Sequence, residues 1–192
     1  MLRLFIAVDL PTELREHVAR MMVAIRNTRW VRAEQLHITL RFLGDTPAEQ
    51  LPVILDRLAG VRPAAFTIKL HGTGVFPALG EGGRRKPPKV LWLGIEPKAE
   101  LAALKHAVDA ALGDVPGTQS SGDHVFSPHL TLARFPSPSD QGLQRFLAIN
   151  KDYSSPEWHV DAFHLYQSTL RREGALHERL ASYPLAQYPY RE

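Results

Sequence analysis

The stretch Leu36-His37-Ile38-Thr39-Leu40-Arg41-Phe42-Leu43-Gly44-Asp45 has a counterpart in Phe126-Ser127-Pro128-His129-Leu130-Thr131-Leu132-Ala133-Arg134-Phe135. Each carries histidine, aliphatic, threonine, aliphatic in that order. On a β-strand, alternate side chains point to opposite faces. The aliphatic pair of each copy therefore faces a core, and the His/Thr pair is left for solvent or a cleft. Both copies run into a helix-start signal: Thr46-Pro47-Ala48-Glu49 after the first, Ser137-Pro138-Ser139-Asp140 after the second. These signals begin nine and eight residues after His37 and His129. A hydroxyl at the cap, proline at the first helical position and an acid three after the cap suit a helix N-terminus.

Working outward, the same order of elements occurs twice. In the first half, residues 2–8 read as a strand and 12–25 as a helix, with Leu14, Val18, Met21, Met22 and Ile25 at helical spacing. Trp30 and Val31 form a short extended piece. The His37 strand follows, then a helix with Leu51, Ile54, Leu55 and Leu58 on one face, then a strand over 66–70. In the second half, a strand over 90–95 leads to a helix with Leu101, Leu104, Val108 and Leu112, which Gly113 ends. The His129 strand, a helix over 143–150 and a strand over 158–166 complete the copy. Residues 174–185 are expected to form a hairpin with 163–170, turning near Glu173-Gly174. The reading is one domain over 1–192 with an internal pseudo-repeat of about 1–79 and 89–170. If its halves pack about a twofold axis, the two His/Thr faces line one cleft from opposite sides.

Bulk composition sets wide limits. With 192 residues the chain can bury a full core. A net charge of +3 permits a polyanionic partner without demanding one. There are no cysteines, which excludes thiolate catalysis and thiolate metal ligation. No apolar stretch approaches the ~18 residues needed to span a bilayer, and the start lacks a signal-peptide pattern. A soluble cytoplasmic protein is expected. Residues 80–89, Gly-Glu-Gly-Gly-Arg-Arg-Lys-Pro-Pro-Lys, read as a solvated loop rather than a basic flap.

Two His/Thr sets suit phosphodiester chemistry. Opening a cyclic phosphate needs a base for water and an acid for the departing oxygen, and imidazole titrates near neutrality. Threonine hydroxyls can donate to non-bridging phosphate oxygens. No metal and no cofactor is needed in this scheme. Of the other histidines, His17, His106 and His177 are expected at the surface; His71, His124, His159 and His164 have no assigned place.

At these residues the chain resembles the 2H phosphoesterase superfamily, and within it the RNA 2′,3′-cyclic phosphodiesterases also called 2′-5′ RNA ligases. The stretches around Phe5, His37, Trp92 and His129 carry the resemblance over most of the chain. It implies an α+β bilobal fold, two pseudo-twofold-related lobes whose antiparallel sheets flank a central cleft, with helices outside. It implies opening of an RNA 2′,3′-cyclic phosphate end to a 2′-phosphate, with His37 as proton donor and His129 as proton acceptor. Thr39 and Thr131 would bind phosphate. Phe42 and Arg134, each five residues past its histidine, would be nucleoside contacts. Strict strand alternation opposes that last expectation, because it puts both on the face away from the histidines. The resemblance also implies 2′-5′ linked RNA as a partner, with joining a minor reverse activity; the chain is expected to be monomeric.

Three rivals share these residues. A non-catalytic RNA-end-binding module would survive loss of His129. A metal-dependent nucleotide hydrolase would be inactivated by a chelator. A small-nucleotide cyclic phosphodiesterase would use the same chemistry on a different substrate.

Overall fold

The computed structural model describes residues 1–78, 87–118, 126–137, 141–171 and 174–187. Most of the loop at 80–89, His124, the Pro138-to-Asp140 part of the second capping signal, Glu173, Tyr188 and Tyr190 lie outside them.

Among the described residues, nine strands and four α-helices follow in the order β1 (Leu2–Asp9), α1 (Thr12–Arg20), β2 (Arg29–Trp30), β3 (His37–Thr46), α2 (Leu51–Ala59), β4 (Phe66–Phe76), β5 (Val90–Glu96), α3 (Ala99–Leu112), β6 (His129–Arg134), α4 (Gln141–Ile149), β7 (Trp158–Val160), β8 (Ala162–Arg171) and β9 (Gly174–Pro184). They form two four-stranded antiparallel sheets, β9-β8-β1-β3 and β6-β5-β4-β7, joined edge to edge where β3 meets β6. The short β2 also pairs with β6.

The sheets are not the two halves of the chain. β4, from the first half, pairs with β5 and β7 of the second. β8, from the second half, pairs with β1 of the first. Each half lends a strand to the other's sheet, so neither sheet can form without both.

One continuous apolar core lies on the helix side of the sheets. Ile38 and Leu40 of β3, Leu130 and Leu132 of β6, and Leu101, Leu104, Val108 and Leu112 of α3 all contribute to it. The α3 residues recur every three to four positions, so one helical stripe covers the sheet. Burying each such leucine contributes roughly 2 kcal/mol.

Several local expectations differ from the structure. Helix α1 ends at Arg20 rather than Ile25. The chain turns through Asn27, at φ 58°, and still buries Ile25 in the core. Thr46 does not cap a helix. It is the last residue of β3, fully buried, with its hydroxyl directed to the carbonyls of Leu43 and Gly44 at 3.4 and 3.3 Å. A 3₁₀ turn over Ala48–Gln50 intervenes before α2, which has Pro52 in its first turn. The expected strand over 158–166 is interrupted at Asp161: β7 pairs with β4, and β8 pairs with β1 and β9. The expected hairpin between 163–170 and 174–185 is present as β8 and β9. No helix among the described residues is long and apolar enough to cross a membrane.

Candidate active site

The joint between the sheets carries both motifs. Ile38 of β3 pairs with Leu130 of β6, antiparallel. Both side chains are fully buried on the core side. One step along in each direction, the register sets His37 opposite Thr131 and Thr39 opposite His129. All four half-buried side chains therefore lie on the opposite face of the sheet, the open one, as two His/Thr pairs in mirrored order.

Each histidine is oriented by its own strand entry. His37 Nδ1–H donates to the Gln35 carbonyl at 2.7 Å, and His129 Nδ1–H donates to the Ser127 carbonyl at 2.8 Å. A carbonyl can only accept, so Nδ1 carries the hydrogen in both rings. Nε2 is left as the atom that exchanges a proton in the cleft. The carbonyl lies two residues before the histidine in both cases, so the same backbone device fixes both tautomers.

Burial sets the resting charge. It pushes His37 from the ordinary 6.5 down to about 4, against the opposing Gln35 hydrogen bond, and the neighbouring His177 adds to the lowering. His129 is lowered too, first by burial and then by the Arg134 charge, while its Ser127 hydrogen bond opposes this. At neutral pH both downward shifts favour the neutral imidazole.

This has a consequence for stability. Between pH 6.5 and about 4 the unfolded chain binds a proton at position 37 that the folded ring resists. Stability therefore falls as pH drops through that window, and this group costs nothing further below it. At about 1.4 kcal/mol per pH unit the loss is at most about 3 kcal/mol, reduced by solvent screening of a half-buried group. His37→Asn is expected to flatten the fall in urea midpoint between pH 7 and pH 4.5. An unchanged pH dependence would contradict the burial argument.

A profile of the 2′-5′ RNA ligase superfamily matches residues 10–172, a span that contains both motifs. The chain belongs to this superfamily. The RNA 2′,3′-cyclic phosphodiesterase of Archaeoglobus fulgidus is 34% identical over 185 residues, covering 93% of this chain and 98% of the relative. The Thermus thermophilus protein of the same name is also 34% identical, over 96% of this chain and 90% of its own. Among solved structures, one of a Thermus thermophilus protein superposes with a TM-score of 0.78 at 31% identity, covering 97% of this chain and all of that one. Escherichia coli LigT complexed with 3′-AMP superposes with a TM-score of 0.74 at 27% identity, covering 97% of this chain and 99% of that one.

In this superfamily member, the objection from strand alternation to Phe42 and Arg134 does not hold. β1 skips Leu40 in its pairing with β3: Ile6 pairs with Arg41 and Ala7 with Thr39. β5 skips Leu132 in its pairing with β6 in the same way: Leu91 pairs with Ala133 and Trp92 with Thr131. Each skip is a β-bulge, and a bulge reverses the alternation beyond it. Arg41 is thereby turned to the helix side, where it meets Asp109 of α3 at 3.3 Å. Phe42 is turned to the open side, 58% exposed and 6.1 Å from the Phe5 ring that also neighbours His37. Arg134 is exposed and close enough for its charge to act on His129.

Several residues of the site have no clear signal in the sequence. On the β1 side, Phe5 packs at 4.9 Å from His37 and stacks on Tyr166 at 5.2 Å. Tyr166 donates to the Asp9 carboxylate, at 2.8 Å to Oδ1, and Arg15 and Arg179 pair with the same carboxylate. On the β6 side, Phe76 stands edge-on to His129 at 5.0 Å and 5.2 Å from Trp92. Trp92, opposite Thr131, lies flat over Gly74, where a Cβ would come within 2.3 Å of the indole. His177, expected at the surface, is instead half-buried beside His37, with ring centroids 5.4 Å apart. Among the described residues, no group of three or more His, Cys, Asp or Glu side chains is placed to hold a metal.

Proposed function

We infer that this chain is an RNA 2′,3′-cyclic phosphodiesterase that opens the cyclic phosphate to a 2′-phosphate without a metal. The observation that carries the reading is the mirrored His/Thr pair across the β3–β6 joint, with matched backbone hydrogen bonds holding both Nδ1 atoms so that Nε2 is the exchanging nitrogen of each ring. Curated relatives covering over nine-tenths of the chain, named for that activity, support it.

Thr39 and Thr131 hold the non-bridging oxygens by donating their hydroxyl hydrogens. The anion raises the affinity of both imidazoles for a proton, which His37 then carries as donor. His129 Nε2 accepts a proton from water as the water oxygen attacks phosphorus. His37 gives its proton to the departing O3′, which leaves a 3′-hydroxyl and a 2′-phosphate. The water oxygen carries one hydrogen onto phosphorus; its other proton goes to His129 and in net replaces the one His37 gave to O3′, so the pair is reset when His129 loses a proton to solvent and His37 regains one. With a 5′-hydroxyl attacking phosphorus in place of water, the same groups expel O3′ and form a 2′-5′ link, a minor activity in water.

Phe42 and Arg134 contact nucleosides on either side of the phosphate through a ring face and a guanidinium plane. Alanine at either position is expected to raise KM for a short RNA about tenfold or more and to lower kcat less. A stacked base contributes ~1–3 kcal/mol. Equal KM values in native and variant would remove them from the substrate site. The exchange of strands between the sheets supports one bilobal domain with a pseudo-repeat of about 1–79 and 89–170. The chain acts as a cytoplasmic monomer on RNA ends.

The test is product analysis on a short RNA ending in a 2′,3′-cyclic phosphate, in excess EDTA. A 2′-phosphate product supports the reading. A 3′-phosphate would reverse the leaving oxygen, and no product would leave a binding module.

A further inference from the structure

The two motifs are equivalent in sequence, yet among the described residues only His37 has a second imidazole ring beside it. His129 is abutted by a hydrocarbon ring, Phe76, at 5.0 Å and 78°. His37 has the same kind of neighbour in Phe5, at 4.9 Å and 33°, and a second ring besides: His177 of β9, at 5.4 Å and 89°. His177 is also edge-on to Phe5, at 4.9 Å and 74°. The three rings make a corner in which His37 rests on Phe5 and His177 closes the side.

β9 is tied to this corner independently. Gln35 donates its side-chain amide to the Ala175 carbonyl, two residues before His177. The same residue's backbone carbonyl holds His37 Nδ1. One residue thus fixes the His37 tautomer and pins the strand that carries His177. The Nδ1 of His177 is buried with no hydrogen-bond partner among the described residues. A buried polar atom left unpaired is costly, so its retention asks for a role.

We propose that His177 is a positioning residue for His37: it holds the donor ring edge-on and, being ionisable, allows only one of the two rings at a time to carry a proton at low cost. The proposal rests on the donor role inferred above. Two imidazolium charges this close repel, and the like charge disfavours the second protonation. His177 itself is shifted down by burial. The other charged groups around the pair are Asp9, which favours charge on His37, and Arg15, which opposes it; Arg179 lies two residues along β9. Among the described residues no imidazole stacks against His129, where Arg134 is the charged neighbour. His177 thereby distinguishes the two histidines among the described residues: the donor's proton is regulated by a neighbouring imidazole.

The experiment is a pH titration of the histidine Cε1–H resonances in the native protein and in His177→Phe, which keeps a ring and removes the charge. In the native protein the His37 signal is expected to inflect twice, once for each member of a coupled pair. In the variant it should inflect once, at a midpoint about half to one unit higher. The His129 titration should be unmoved. The alkaline limb of the kcat/KM profile should rise by the same shift, while KM stays put. A single His37 inflection in the native protein would overturn the proposal, whether or not the variant folds. So would a His37 midpoint unchanged in the variant. Neither outcome bears on whether the native protein opens cyclic phosphates, so the proposal can fail while the function stands.

Discussion

Replacing His129 with alanine is expected to lower turnover of an RNA 2′,3′-cyclic phosphate by about 10³-fold or more, and His37→Ala by a similar factor. A positioned acid or base contributes ~10²–10⁴-fold, and here each works only if the other does. The double variant should therefore be little worse than either single one, because groups that act as a unit are not additive. Steady-state kinetics with all three variants checks this. Folding should survive, since neither ring contributes to the apolar core, which lies on the other face of the sheet. Independent losses that multiply in the double variant would mean the two rings do not share one step.

Gly94→Ala is expected to destabilise the fold by about 1–3 kcal/mol and to lower activity as well. Gly94 pairs with His129, and a Cβ there would stand 2.5 Å from the His71 carbonyl oxygen of β4. The obstacle is backbone in a central strand pairing, so relief requires β4 and β5 to separate. Overpacking of this kind costs about 1–3 kcal/mol. The separation would also displace the β5 partner that sets the His129 strand. Thermal unfolding and kcat measured together check both halves. A variant as stable as the native protein would show that the strands can part without cost.

How much of this was legible in the sequence depended on range. The faces of the two His-x-Thr strands follow from alternation, a property of the strand alone. The orientation of Phe42 and Arg134 does not, because the bulges at Leu40 and Leu132 exist only in the pairing with β1 and β5. Local periodicity also overran α1, since Met21, Met22 and Ile25 keep helical spacing after the backbone has left the helix. The division of residues 158–166 at Asp161 was hidden because both pieces are apolar, although they belong to different sheets. His177 read as a surface residue for the same reason: its neighbours Phe5 and His37 lie far away in the chain. The family resemblance supplied the donor and acceptor roles, which two equivalent motifs cannot supply by themselves.

The most direct measurement is a crystal structure of the native protein with 2′-AMP, the smallest product of the proposed reaction. The account predicts the 2′-phosphate over the β3–β6 joint, with oxygens within hydrogen-bond distance of both Nε2 atoms and both threonine hydroxyls. A phosphate bound elsewhere, or one that reaches a single motif and leaves the other facing solvent, would contradict it.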